Sequence, residues 1–124
     1  MSYEMTNDDF EIFKEEAERW ITALGLKDWN ISIKMDNAED ACSECLVNRT
    51  SHAACLVLNR YQQEELTQKQ IREYAFHEVL EVLLSDLEYL AMDCLLSEEK
   101  KVLLEVERHR IIRRLESAKS LLEA

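Results

Sequence analysis

His77, Glu78 and Glu81 are the residues of this chain whose types and spacing could do chemistry. They lie in Ala75-Phe76-His77-Glu78-Val79-Leu80-Glu81-Val82-Leu83-Leu84, an otherwise apolar stretch. Four residues apart on a helix, His77 and Glu81 project from one face and can grip one ion. Glu78 stands where the general base of a helix-borne zinc hydrolase would stand. The usual zinc-protease signature is His-Glu-x-x-His, and here Glu81 replaces the second histidine. Carboxylates in an apolar setting cost several kcal/mol or more unless something compensates them.

The motif is weakly specific taken alone. With three histidines and 19 glutamates in 124 residues, chance supplies roughly 0.07 copies of His-Glu-x-x-Glu. Its setting adds weight. Val79, Leu80, Val82, Leu83, Leu84, Leu87 and Leu90 surround it on nearly all sides, which predicts a helix central to the fold. The plainer alternative is a carboxylate cluster that is solvated or paired within the core.

A hydrolytic zinc takes three protein ligands and leaves one position for water. His77 and Glu81 supply two, and the third must come from a helix packed against them. The last predicted helix offers Glu105, Glu107 and His109. His109 falls on the face of Val102, Val106 and Ile112, and Glu105 could orient its imidazole from four residues away. A histidine at the edge of a helix contact would look the same. A di-metal site on Glu78, Glu81, Glu105 and His109 is weaker, because the chain lacks the repeated Glu-x-x-His of such sites.

Four cysteines raise a second metal possibility. Cys42-x-x-Cys45, followed by His52-x-x-Cys55, has the ligand types and pair spacing of a Cys3His zinc site. That segment has no glycine or proline to form tight knuckles, and Ala53 to Leu58 reads as a buried strand with Cys55 as a small apolar filler. Ordinary reduced thiols are the expectation there, and Cys94 lies apart.

The elements that must position these residues follow from periodicity. Thr6 or Asn7 caps a first helix to about Leu24, ended by Gly25, the only glycine. Trp29 to Met35 alternates as a half-buried strand. Further strands are expected at Ala41 to Val47 and Ala53 to Leu58. Thr67 caps the motif helix, which runs to about Leu90, and Ser97 caps a last helix to about Leu122. Leu104, Ile111, Leu115, Ala118 and Leu122 form one stripe of that helix. The order predicts one α+β domain over residues 1–124, with helices on one face of a small antiparallel or mixed sheet.

Composition sets the outer limits. An apolar fraction of 47% and a charged fraction of 33% describe an ordinary globular protein. No apolar run approaches the roughly 18 residues that span a membrane, and the acidic N-terminus has no signal-peptide core, so a cytoplasmic location is expected. A formal charge of −11 disfavours nucleic acid as a partner. The last helix is locally basic and the first acidic, so the two are expected to offset each other. A single glycine excludes a glycine-rich phosphate loop.

With these pieces together, the chain resembles small, phage-encoded zincin-like metallopeptidases of gluzincin type. The resemblance covers most of the chain: Trp29-x-Ile31-x-Ile33, Ala54-Cys55-Leu56-Val57-Leu58-Asn59, the His77-Glu78-Val79-Leu80-Glu81 helix and the segment from Glu107 to Glu116. The motif helix carries most of its specificity. In such relatives the motif has two histidines and the downstream helix gives a glutamate; here Glu81 and His109 would exchange those roles. The resemblance implies a one-zinc hydrolase with His77, Glu81 and His109 on the metal and Glu78 as base, acting on a peptide or protein aligned on the nearest strand. The alternative, motivated by Glu81 in place of the second histidine, is a degenerate member that has lost catalysis and binds a protein partner.

Overall fold

The computed structural model describes residues 2–38, 41–93 and 97–123; Cys94 falls outside them, as do the side chains of Leu90, Ala118 and Leu122. The chain is α+β. Helix α1 spans Asn7–Ala23, capped by Thr6, whose Oγ1 accepts from the Asp9 amide at 3.1 Å while the Thr6 amide donates to Asp9 Oδ2 at 2.9 Å. This reciprocal pair fixes the first turn. At the other end Gly25 takes φ +69°. The Gly25 amide bonds Thr22 O and the Leu26 amide bonds Ile21 O, closing the helix as a Schellman turn.

Three strands form a mixed sheet: β2 (Asn30–Asp36), β3 (Ser43–Asn48) and β4 (Ala53–Asn59), in the order β2-β4-β3. β2 runs parallel to β4, and β3 antiparallel to it. The place of β4 between two paired strands accompanies its run of buried Leu56, Val57 and Leu58, of which Leu56 and Leu58 join the core under α1 and α2. β2 at the edge alternates instead. Two short strands, β1 (Tyr3–Glu4) and β5 (Tyr61–Gln62), pair separately; two residues each are too few for an alternation to register in the sequence.

Asn59 positions the start of β3. Its side-chain amide donates to Ala38 O at 2.7 Å and Ala41 O at 2.8 Å, and its carbonyl accepts from the Ala38 and Tyr61 amides. One buried amide thus satisfies the backbone where the chain turns into β3.

Helix α2 (Gln68–Asp93) carries the motif and is capped by Thr67, which exchanges two hydrogen bonds with Gln70. One flank of α2, with Ile71, Ala75, Val79 and Val82, packs on Phe13 and Ala17 of α1 and on Leu56 and Leu58 of β4. Another flank, with Phe76 and Leu80, meets Ile112 of helix α3 (Glu98–Leu122), which Ser97 caps. Two opposed apolar flanks account for the all-round hydrophobicity of the motif helix. Each large side chain buried there contributes about 1.5–3 kcal/mol. Among the described residues no helix is long and apolar enough to cross a membrane.

The face of α3 differs from expectation. Of Val102, Val106 and Ile112, only Ile112 is buried; Val102 and Val106 are 60% and 41% exposed. The face turned to α2 is Arg108, Ile112 and Glu116, spaced by four. At 3.6 residues per turn, Arg108 and Glu116 lie about 40° from Ile112 around the axis, His109 about 60° and Val106 about 120°.

Candidate functional site

α2 turns Glu78 toward β3 and His77 and Glu81 toward α3. Glu78 is 5% exposed and accepts a hydrogen bond from the Ser43 hydroxyl. Burial raises its pKa above the usual carboxylate range, opposed by the Ser43 bond and the nearby His77 charge. His77 stands between two carboxylates: Nε2 is 3.5 Å from Glu81 Oε1, and Nδ1 is 3.5 Å from Glu116 Oε2. The bond to Glu81, with the charges of Glu78 and Glu116, outweighs burial and lifts the imidazole pKa to about 8. Burial pushes Glu81 up, but the His77 bond and the Arg108 charge together bring it below its ordinary value.

Arg108 is the residue that compensates the cluster. Its side chain is only 12% exposed. Nη1 meets Glu81 Oε2, Nε lies 3.2 Å from Glu88 Oε2, and Nη2 lies 3.4 Å from His109 Nε2. The guanidinium therefore stands between Glu81 and His109, two of the three residues expected to hold an ion. His109 itself is exposed.

A cleft of about 390 Å³ opens over this cluster, between Cys45 and Val47 of β3, Glu88 and Tyr89 of α2, and Arg108. Arg49, just past β3, stacks over the Tyr89 ring at its end. The Cys45 thiol is pushed up to about 12 by burial and by Glu78 and Glu81, which favours the neutral thiol. A larger cavity, about 870 Å³, is lined by other residues, among them Cys42, Tyr61 and Tyr74, and shares none with the cluster.

Two of the expected donors suit a metal. Ligands about 2.1 Å from a tetrahedral zinc stand about 3.4 Å apart, close to the 3.5 Å between His77 Nε2 and Glu81 Oε1. The third does not complete the set. Glu116 meets the opposite nitrogen of His77, and two nitrogens of one ring cannot face one ion. His109 is separated from Glu81 by a permanent cation. Among the described residues no three His, Cys, Asp or Glu side chains are grouped to hold a metal. The side chains as arranged do not fit a three-ligand hydrolytic zinc.

The cysteine pattern is not drawn together either. Cys42 lies at the start of β3, where its carbonyl accepts from the Asn59 amide, and His52 lies at the far end, where its ring stacks on Trp29 at 3.8 Å. Cys45 is opposite Leu56 while Cys55 is opposite Leu46, so the two thiols point to opposite faces of the sheet. All three described cysteines are free thiols.

Sequence reasoning missed Arg108 and Glu116. The available signal was their four-residue spacing about Ile112, hidden because both read as ordinary charged surface. Comparison with protein-family models, with curated proteins and with solved structures gave no match.

Proposed function

We propose that this protein is a non-catalytic binding module that takes an extended segment of a partner protein along the free edge of β3. One observation carries the reading: an unpaired strand edge runs beside a cleft with fixed charges. The Asn59 amide donates to the directly opposite Cys42 carbonyl at 3.0 Å. In an antiparallel ladder, that pairing leaves Ser43, Cys45 and Val47 with backbone groups turned away from β4. Among the described residues no strand covers them. A partner strand would satisfy those groups by β-augmentation, and the cleft beneath would select its side chains. Of the two outcomes that the sequence resemblance allows, this is the alternative one, a degenerate frame that binds a protein partner in place of a one-zinc hydrolase.

Val47→Pro tests this. It removes one outward amide and leaves the β3–β4 ladder intact, since proline is tolerated where the N–H faces outward on an edge strand. Peptides selected on the wild-type protein from a random displayed library should bind the variant about tenfold or more weakly, a loss of about 1.4 kcal/mol. Equal affinity in a variant with unchanged circular dichroism would remove the β3 edge from the proposal.

A second reading, a zinc-dependent hydrolase on His77, Glu78 and Glu81, is favoured by the 3.5 Å donor spacing alone. It requires about one zinc per wild-type chain, lost in His77→Ala. Metal analysis of protein purified without chelators decides between the two.

A further inference from the structure

We infer that two copies of this chain pair through the outer face of α3, with the two helices antiparallel. Glu99, Leu103, Val106 and Arg110 follow one another at spacings of four, three and four. That repeat keeps side chains in one line along a helix pair. At about 100° per residue, the line lies roughly 120–180° around the axis from Ile112, which is buried against α2. All four residues are exposed, and Leu103, at 66%, is the most exposed of the described large apolar side chains. Val102 borders the line and is exposed as well.

Charge complementarity selects a second copy as the occupant. The line is acidic at its start and basic at its end, with two apolar residues between. Reversing one copy against another, about the midpoint of Leu103 and Val106, sets Glu99 against Arg110 of the second copy and Leu103 against its Val106. A two-fold axis repeats both pairs. Lys100 and Glu107 flank the line on one side, and the same reversal brings them together across the pair. A parallel pairing would instead set each charge against its own kind. Arg110 Nη1 lies 3.7 Å from Glu107 of its own helix, but both side chains are about half exposed, so that pair is easily exchanged. The net charge of −11 on each copy opposes association, and physiological salt screens it beyond about 8 Å while the opposed pairs act at contact. Two or three helical turns per copy form a small interface, which sets the dimer Kd at roughly 10–200 µM. The face shares no residue with the β3 edge, so the inference stands independently of the binding-module reading.

Sedimentation velocity on the full chain in physiological salt, from roughly 5 to 500 µM protein, reads the association. The wild type should pass from monomer to dimer across that range. Leu103→Glu should stay monomeric, because it places two carboxylates at the centre of the pair. Glu99→Arg and Arg110→Glu, each alone, should weaken the dimer about tenfold or more, since each sets like charges against one another at both ends. An equal mixture of those two variants should dimerise again, because every charge then meets its opposite. The double variant should match the wild type. All three positions are exposed, so circular dichroism and Tm should stay unchanged. If Leu103→Glu does not fold, Val106→Ser carries the same test. A wild type that stays monomeric throughout gives the face to a different protein and overturns the inference. A dimer that survives a folded Leu103→Glu or Val106→Ser overturns it too. Single charge variants that associate as tightly as the wild type, or a mixture no tighter than either alone, overturn the antiparallel pairing.

Discussion

His77 meets Glu81 of its own helix through Nε2 and Glu116 of α3 through Nδ1, and the strength of both contacts depends on its proton. Its pKa is raised from 6.5 to about 8 by Glu81 first and then by the Glu78 and Glu116 charges. A raised folded-state pKa on a base means that the native state binds the proton more tightly. The resulting stability is fully present below about pH 6.5 and is lost as pH rises through 8. With the ring about one third exposed, water screens the effect, which leaves about 1 kcal/mol. Urea unfolding between pH 6 and 9 should show this decline in the wild type and a flatter profile in His77→Gln. Equal slopes would mean that the imidazole contributes nothing through its charge. Glu81 acts in the opposite range: its lowered pKa gives stability above the ordinary carboxylate value that disappears on acidification.

At the scale of elements, the helices are held unequally. α2 is gripped by α1, β4 and β3, whereas α3 buries Ile112 against Phe76 and Leu80 and adds the charges of Arg108 and Glu116 and the Lys119 ammonium over the Trp20 and Phe76 rings. Ile112→Ala should therefore cost about 2–4 kcal/mol, within the usual range for emptying a fully buried aliphatic site. Urea unfolding measures it, and a loss under 1 kcal/mol would show that the ion pairs dock α3 unaided. The helices, their caps and the three longer strands were legible in the sequence because local rules govern them: Thr6, Thr67 and Ser97 as caps, Gly25 as a stop, alternation in β2. The turn of α3 was not legible. An arginine and a glutamate flanking Ile112 carry no apolar signal, and their inward orientation follows only from the carboxylates and imidazole that α2 presents to them.

For the whole molecule, two hydrophobic clusters of different size imply two levels of local stability. Val102, Leu103 and Val106 are exposed, so the N-terminal half of α3 has little buried surface to resist opening. Native-state hydrogen exchange should find α3 amides between 102 and 107 exchanging well before those of α2 between 75 and 82 or of β4. Equal protection across all three would show one cooperative unit. The sequence by itself determined the α+β class, the central place of the motif helix, and the need for something to compensate Glu78 and Glu81. Period, capping and the cost of burying a carboxylate are properties of a short stretch of chain. Only the tertiary structure decided what compensates them: the Ser43 hydroxyl for Glu78, and Arg108 for Glu81. Those partners lie 35 and 27 residues away, and no periodicity within one segment encodes which side chain of a distant helix will arrive.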